Sequence, residues 1–591
     1  MTTESRFSAA EALGLCLVVA ACVALSAAGI TWGLPSAERN ALYFRTPESL
    51  KLHLAELKAE DVAESYKTWD NYRLLHPDED VGRLPRSFYN PLRTYHPDEY
   101  IPLKMLSGLD PRKGRFDTRI YTLGGAYVYL LGAYLAAAHG LGFITLTQDL
   151  SVYFAHPELM ARIYLAGRVL TLCFFAGTLV FVYLIARQIA GRYAALVAAA
   201  LVGTTPLVVL NAHYMYVDIA AVFYAFAGFY FILRLFDGRN WRSYLLAGLL
   251  CGLAAGTKIQ CLLLAVMIWL AHAGALRRAP KEERGRLGLW RLLADPKLLA
   301  AAGAFLAAFL ITNPYALIKP YDFLFDIRRH APHHFTLLLY AKALFVSMGP
   351  AAFLGALAAL AASFWLKDRR NLLLGLWVIL FIGFMSRYGH FFARFALPAV
   401  PALLTLLVTA CAGLWRRSAR LRPALAAFLA AAVVWNVLWD LSLADLLRGT
   451  DARTLAGRWI ARNVPPGSSI GVVSVPWQYE MPPMDGRVYR IVVTNKDGEA
   501  LRGERPEWFV ASSPQFAWDV LDPDGPAYRN FWGRLFASGE YARVCSIDRE
   551  QRLGPFRGFN ASDFPEDLRR YVNPVVVVFK RTGPAYARET P

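Results

Sequence analysis

Two adjacent carboxylates, Asp98 and Glu99, follow a His-Pro pair in the segment "RTYHPDEYIPLKML" (93–106). A positioned carboxylate can take a proton from a reacting group, which makes each of them a candidate general base. They lie in a long polar stretch of a chain that is otherwise mostly apolar. A second interpretation of Asp98 is structural, because an aspartate can cap a helix that begins at Glu99.

Other polar residues stand at the ends of apolar segments. Charges near a membrane segment are costly unless they are paired or face water, so several of them at one face indicate a shared cavity. Two have a simpler interpretation: Asp218 could be an acid favoured by a helix N-terminus, and Arg394 could reach the membrane boundary. The candidates are His213, Tyr214 and Asp218 in "NAHYMYVDIAAVF" (211–223), Lys258 in "GLAAGTKIQ" (252–260), and Arg387, Tyr388, His390 and Arg394 in "SRYGHFFARFALPAVP" (386–401).

The composition is that of a polytopic membrane protein. Of the 591 residues, 56% are hydrophobic and only 18% are charged, and apolar runs long enough to cross a bilayer recur along the chain. The net charge of +18 does not indicate nucleic-acid binding, because the basic residues crowd into short loops between apolar runs.

Those loops predict the topology. Short Lys/Arg-rich loops face the cytoplasm, so an even number of crossings must separate each from the next. The interval 243–273 then requires two short half-helices that meet at 256–258, although one long tilted helix is the alternative. The five basic connectors are 186–193, 234–242, 276–286, 366–370 and 414–422.

The first apolar segment covers residues 9–30, and "ALSAAG" near its end also fits signal-peptidase cleavage. A long outer loop, 31–160, follows, and its aromatic and leucine content predicts an ordered structure. Within this loop the Tyr-rich segment 121–142 is expected to be an interfacial helix that does not cross. A last crossing at 423–445 leaves the C-terminus outside, so the count is about eleven membrane segments.

Residues 447–591 have the composition of a soluble domain. The segment 452–464 is typical of a helix, and four short apolar runs bounded by turn residues predict buried strands. The sequence therefore divides into a membrane domain, 1–446, and a small outer α/β domain, 447–591, which we expect to influence acceptor access or stability. The predicted strands are "SSIGVVSV" (468–475), "VYRIVVT" (488–494), "EWFVASS" (507–513) and "NPVVVVFKR" (573–581).

The order of these motifs resembles a known group of enzymes. A first outer loop with an Asp-Glu pair, then "HYMYVD", "GLAAGTK", "TNPY" and "RFALPAVP", is similar to the GT-C superfamily of polyprenyl-phosphate-sugar-dependent glycosyltransferases. Protein O-mannosyltransferases and the lipid A aminoarabinose transferase are the nearest branches, and the resemblance covers roughly residues 10–445. One departure is Phe395, where the family has tyrosine after the arginine.

The resemblance implies an activity and a site. Asp98, with Glu99, would be catalytic, and Asp218 would be a second acid. Glu99 would either face away from the cavity or help Asp218 to bind a divalent metal ion. No cofactor is otherwise predicted. The family's Gly-Thr-Lys break maps onto residues 256–258 and its proline element onto Pro398 and Pro401. We assign Lys258, Arg394 and Arg387 to the donor phosphate, and His213, Tyr214, Tyr388 and His390 to the sugar or acceptor.

The implied reaction moves a hexose or pentose from a polyprenyl-phosphate donor to a hydroxyl of a protein, lipid or glycan, with inversion. It would take place at the outer face of the cell (inner) membrane. Two other classes stay open: a flippase or transporter of lipid-linked sugars, which could use a broken hairpin and an intramembrane lysine, and a non-catalytic scaffold. The soluble tail, the long outer loop and the absence of an internal sequence repeat favour the transferase.

Overall fold

The protein is largely helical and ends in a small sheet domain. The structure is a computed structural model, and it describes residues 8–59, 91–277, 291–328, 336–365, 368–387, 391–474, 479–520, 524–549, 551–552 and 572–582.

The helices before the sheet domain follow the predicted alternation of apolar segments and short connectors. In chain order they are α1 (Ala9–Ala27), α2 (Ala37–Tyr43), α3 (Pro47–Ala59), α4 (Tyr100–Ser107), α5 (Gly125–Gly140), α6 (Leu150–Ala155), α7 (Pro157–Ala190), α8 (Arg192–Gly203), α9 (Pro206–Ala212), α10 (Val217–Arg234), α11 (Trp241–Thr257), α12 (Leu264–Leu276), α13 (Arg291–Ala294), α14 (Pro296–Thr312), α15 (Tyr315–Ile318), α16 (Pro320–Arg328), α17 (Leu337–Met348), α18 (Pro350–Ser363), α19 (Arg369–Met385), α20 (Val400–Arg417) and α21 (Arg422–Arg448).

Seven helices of the described ranges are long and apolar enough to cross a membrane, or eight if the bent pair α8–α9 is one span. The chain is therefore a multi-pass membrane protein, as predicted. The predicted count of about eleven is higher because it includes three further segments. Two of these are α11 and α19, which have 17 residues each and are about 26 Å long, and the third is the pair α17–α18.

Two of the predicted crossings are broken within the apolar run. Between α8 and α9 the chain bends by 65° at a break of the helix. Pro206 is the first residue of α9, and a proline inside one continuous helix would clash with the preceding turn. Between α17 and α18 the backbone of Gly349 has a φ of +78°, which a residue with a side chain rarely adopts. Each break thus has a cause in the sequence.

Many large apolar side chains are exposed on these helices. Examples are Leu338 at 82%, Ile311 at 76% and Leu354 at 59% exposure. A water-soluble protein rarely presents so much continuous apolar surface. This surface is what a helical bundle surrounded by lipid requires.

The break predicted at 256–258 is confirmed. Helix α11 ends at Thr257, a 3-10 turn covers Ile259–Leu263, and α12 follows. A Cβ at Gly256 would lie 2.2 Å from Thr312 Oγ1, and one at Gly124 would lie 1.9 Å from the carbonyl oxygen of Gly256. The backbones meet too closely for side chains at these positions. The second limb, 259–276, is long enough to cross by itself, which is longer than a half-helix.

Part of the predicted long outer loop, residues 60–90, lies outside the described residues. Its helix α5 corresponds to the segment predicted to be interfacial, and it begins at the end of the bundle where the 256–258 break lies: the Gly124 amide donates to the carbonyl of Thr257 at 3.0 Å. With 16 residues α5 is shorter than the candidate membrane spans. Its position in the interface stays a prediction.

The C-terminal part forms a mixed sheet of five strands. Its elements are α22 (Ala452–Asn463), β1 (Ser469–Val472), β2 (Arg490–Val493), α23 (Gly498–Glu504), β3 (Trp508–Ser512), α24 (Ser513–Val520), α25 (Gly533–Phe536), β4 (Tyr541–Ile547) and β5 (Val576–Arg581). The strand order in the sheet is β2-β1-β3-β5-β4. Strand β1 is parallel to β2 and β3, whereas β5 is antiparallel to β3 and β4. All four predicted strands and the predicted helix are present, and β4 is additional.

Candidate active site

Asp98 lies in the turn before α4 and is paired with Arg394, which precedes α20. Nη2 of Arg394 donates to Oδ2 of Asp98 at 2.6 Å across 296 residues of sequence. The helix begins at Tyr100 with Glu99 as its N-cap, and no side chain caps it. The capping interpretation of Asp98 is therefore wrong, and its carboxylate instead meets the residue that the motif comparison placed at the donor phosphate.

A second carboxylate joins the same cluster. Asp218 lies in the first turn of α10 and pairs through Oδ1 with Nζ of Lys258. Its other oxygen is 3.6 Å from Nε of Arg394. Two acids and two bases from four distant parts of the chain are thus joined, and their formal charges cancel. Such pairing offsets the free-energy cost of placing charged groups at the end of an apolar bundle.

Lys258 is brought to the cluster by the break in the helix. It is the C-cap of α11 with an extended backbone, at φ −146° and ψ 117°, and it forms an isolated bridge with Leu123. In a continuous helix the side chain of Lys258 would point in a different direction. The close backbone contacts at Gly124 and Gly256 accompany this break, and the break places Lys258 next to Asp218.

The charged groups of Lys258 and Arg394 lie against aromatic rings. Nζ of Lys258 is 4.5 Å from the ring centroid of Phe395, and the guanidinium of Arg394 is 4.3 Å from that of Phe392. A cation over an aromatic face gains electrostatic stabilisation, more when it is removed from water. Phe395 is the position at which the sequence departs from the family pattern, and the ring contact needs no hydroxyl.

His96 holds the backbone of the candidate base. The amide N–H of Asp98 donates to Nδ1 of His96 at 3.1 Å, and the imidazole packs 4.1 Å from the ring of Tyr214. Burial, with the positive charges of Arg394 and Arg168, keeps the pKa of His96 well below its usual value. A neutral imidazole can accept at Nδ1, so the charge state and the hydrogen bond agree.

Glu99 faces away from this cluster and is part of a separate, closed ion pair. Arg168 of α7 donates to both of its carboxylate oxygens, at 2.8 and 2.6 Å, and the amide of Met215 donates to Oε1 at 2.8 Å. Arg168 also donates to the carbonyls of Ile30 and Trp32. Both side chains are fully buried. This pair joins four segments and neither side chain is exposed, so its geometry supports positioning.

The residues predicted to contact the sugar or acceptor are buried or lie outside the described ranges. Both ring nitrogens of His213 are within hydrogen-bond distance of backbone carbonyls, those of Val209 and Ala28. Tyr214 is buried between Trp32 and His96. Both side chains pack the wall of the site and do not line an open surface.

Three predicted positions follow α19. Arg387 is exposed in the turn after this helix. Tyr388 and His390 lie outside the described residues. Their assignment to the donor or acceptor stays a prediction.

The carboxylates do not fit the divalent metal site left open by the sequence. Asp218 is neutralised by Lys258 and approached by Arg394, while Glu99 is neutralised by Arg168. In the part of the chain that the structure describes, no three His, Cys, Asp or Glu residues are grouped to hold a metal ion. A cation would have to displace a lysine or an arginine, and these already supply positive charge.

No structural role was predicted for three residues of the site: His96, Arg168 and Phe395. A signal for Arg168 was available, because an arginine inside an apolar segment needs a partner. The same reasoning singled out Lys258. Nothing in the spacing identifies Glu99 as that partner, since 69 residues separate the two. His96 stands two residues before Asp98, but its hydrogen bond depends on the turn.

Two solved structures are similar over most of their length, at low identity. ArnT from Cupriavidus metallidurans, bound to undecaprenyl phosphate, is 12% identical, and the match covers 97% of this chain and 98% of ArnT with a TM-score of 0.42. The Archaeoglobus fulgidus oligosaccharyltransferase tethered to an acceptor peptide is also 12% identical, with coverage of 96% and 88% and a TM-score of 0.42. No curated protein matches the chain.

A family comparison gives a match to part of the chain. Residues 145–290 match the family described as dolichyl-phosphate-mannose-protein mannosyltransferase. This segment contains Arg168, Asp218 and Lys258, which are three of the charged residues described above. The match confirms the resemblance of this chain to the polyprenyl-phosphate-dependent glycosyltransferases of the GT-C superfamily.

Proposed function

We propose that the chain transfers a sugar from a polyprenyl-phosphate donor to an acceptor hydroxyl, with inversion at the anomeric carbon. The observation that carries this proposal is the direct pairing of a partly exposed carboxylate, Asp98, with a cation, Arg394, beside the Asp218–Lys258 pair. A base for the acceptor and positive charge for the leaving phosphate are the two requirements of the reaction, and they occur in one cluster.

The reaction makes different demands on the two groups. The acceptor oxygen attacks the anomeric carbon as its proton passes to a carboxylate, because a hydroxyl is otherwise a poor nucleophile. The bond between the anomeric carbon and the phosphate oxygen breaks, and its electron pair leaves with the polyprenyl phosphate. That phosphate gains negative charge, which fixed cations stabilise. A single displacement inverts the configuration.

Among the acids of the site, exposure favours Asp98 as the base. Its side chain is 20% exposed, whereas that of Asp218 is 3% and that of Glu99 is 0% exposed. A base must reach the acceptor directly or through one water molecule. We therefore assign Asp98 to proton transfer, Asp218 to holding the two cations, and Glu99 to fixing the turn that carries Asp98.

Arg394 and Lys258 are the proposed partners of the donor phosphate. Guanidinium and ammonium groups form short, charge-assisted hydrogen bonds with phosphate oxygens. In the structure both cations are paired with carboxylates. Binding of the donor would therefore move Arg394 from Asp98 to the phosphate. That exchange would leave Asp98 free to accept a proton only when a donor is present.

The proposal is tested by the fate of the donor. Purified protein in lipid vesicles, incubated with labelled polyprenyl-phosphate mannose or aminoarabinose and a membrane extract as acceptor source, should release free polyprenyl phosphate and move the label to an acceptor. A flippase would relocate the labelled donor across the vesicle membrane without cleaving it. Relocation of intact donor, with no free polyprenyl phosphate, would refute the transferase and support the alternative.

We further propose the orientation inferred from the basic loops. Residues 1–446 would be the catalytic membrane domain, and residues 447–591 an outer domain in the extracytoplasmic space. The first loop and the cluster would lie on that same side of the cell membrane. The acceptor is then an extracytoplasmic protein, lipid or glycan.

Cysteine accessibility tests the orientation. Lys113 in the first loop has a side chain that is 69% exposed, and Glu504 in the outer domain is 53% exposed. Cysteines at these positions should react with a membrane-impermeant thiol reagent in intact cells. A cysteine at the exposed Arg416, in the last turn of α20, should react only after the cells are opened. Unsubstituted protein gives the background from the natural cysteines, and the reverse pattern would overturn the topology.

A further inference from the structure

The turn that carries Asp98 is held by the first helix of the C-terminal domain. The hydroxyl groups of Tyr95 and Thr454 share a hydrogen bond of 2.7 Å, and both side chains are buried. The guanidinium of Arg453 lies 4.0 Å from the centroid of the Tyr95 ring. Thr454 and Arg453 are neighbours in α22, so one helix contacts both the ring and the hydroxyl of Tyr95.

The side chain of Arg453 is held in place by hydrogen bonds to other residues of the C-terminal domain. Its Nε and Nη2 donate to the two oxygens of Asp451, each at 2.7 Å, and Nη1 donates to the carbonyl of Tyr479 at 2.6 Å. The side chain is fully buried. A bidentate pair of this kind sets the plane of the guanidinium as well as its position. The surface offered to Tyr95 is therefore rigid.

The backbone between Tyr95 and Asp98, the proposed base, is also restricted. Its amide donates to the carbonyl of Gly33 at 3.1 Å, and only His96 and Pro97 separate it from Asp98. His96 accepts from the amide of Asp98, as described above, and the ring of Pro97 restricts its own φ. A shift of the Tyr95 ring would thus move the carboxylate relative to Arg394.

We infer that α22 positions the base: Thr454 and Arg453 are positioning residues that act through Tyr95 on Asp98. The inference rests on the proposed function of Asp98. It assigns the C-terminal domain a part in the chemical step, beyond the influence on acceptor access or stability expected from its sequence. Neither residue contacts the reacting atoms.

The experiment removes the shared hydrogen bond from either side. Tyr95→Phe and Thr454→Val should each lower kcat by about two- to tenfold, the effect of one hydrogen bond, with the KM for the donor unchanged. The double variant should be no slower than the slower single variant, because both changes remove the same bond. Thr454→Ser, which keeps the hydroxyl, should restore most of kcat.

A matched control comes from the same domain. Thr494 is buried, and its hydroxyl donates to the carbonyl of Val472 at 3.0 Å, within the sheet domain. Thr494→Val should leave kcat unchanged. A loss of kcat equal to that of Thr454→Val would show that the effect is general destabilisation, and it would overturn the inference.

A second readout does not depend on catalysis. In full-length Asp98→Cys protein, the rate at which a small thiol reagent modifies Cys at position 98 reports how firmly the turn is held. Adding Tyr95→Phe or Thr454→Val should raise that rate, and adding Thr494→Val should not. If the protein proved to be no transferase, this rate would still decide whether α22 holds the turn. Equal rates in all backgrounds would refute the inference.

Discussion

Asp98→Asn should abolish detectable transfer while folding and donor binding stay normal. Loss of a general base typically lowers the rate by about 10²–10⁴-fold. The asparagine keeps an oxygen that can accept from Arg394, which lies 2.6 Å from the carboxylate, so the architecture of the cluster should survive. No helix cap is lost, because α4 has no side-chain cap. The measurement is release of free polyprenyl phosphate per folded molecule, beside the melting temperature in detergent.

Two further variants serve as comparisons for Asp98→Asn. Arg394→Ala should mainly weaken donor binding, since it removes a proposed partner of the donor phosphate, and it should raise the Kd for the donor. Glu99→Gln should be milder for turnover per folded molecule, because Glu99 does not face the reactants. Wild-type turnover in Asp98→Asn would place the base elsewhere and would contradict the assignment.

Arg168→Met should destabilise the protein by about 3–5 kcal/mol, the usual cost of breaking a buried ion pair. The substitution leaves Glu99 charged and fully buried, and among the described residues the amide of Met215 is then its remaining hydrogen-bond donor. The melting temperature in detergent should fall accordingly, and little folded protein should accumulate in the membrane.

The matched control is the neutral pair. Arg168→Met combined with Glu99→Gln removes both charges, so a large part of the lost stability should return, as expected when no isolated charge is left buried. If the single and double variants melted at the same temperature, the ion pair would not be the source of the effect. The comparison separates the cost of the unpaired charge from the loss of packing.

Much of the helical architecture could be predicted, because apolar runs and basic connectors are properties of local sequence. The same holds for the break at 256–258, where glycine and lysine interrupt an apolar run. The breaks at Pro206 and Gly349 were not predicted, since each residue is also tolerated at the end of a helix. Strand β4 was missed because it is at the edge of the sheet, and its mainly exposed or half-buried residues, with Arg543 among the exposed ones, lack the apolar run of a buried strand.

The site was predicted in part for a similar reason. Asp218, Lys258 and Arg394 could be identified because charges at the ends of apolar segments require partners, and Asp98 because it belongs to an acidic pair in a long polar loop. The structure brings these four together. Which charge pairs with which depends on packing between distant segments. His213 and Tyr214 carry polar groups typical of a sugar site, yet the wall of the bundle uses them in packing and backbone contacts.

The pairing of Asp98 with Arg394 also has a consequence for biosynthesis. The ribosome must add 296 residues after Asp98 before it reaches Arg394, which takes about 15–60 s at ordinary rates of translation. Arg168, the partner of the neighbouring Glu99, is made after only 69 residues. The turn can therefore dock early on α7, while the pair at the proposed reaction centre forms only after most of the helices have been made. A nascent chain in the membrane holds an anchored but incomplete site, and it should not consume donor before the bundle closes.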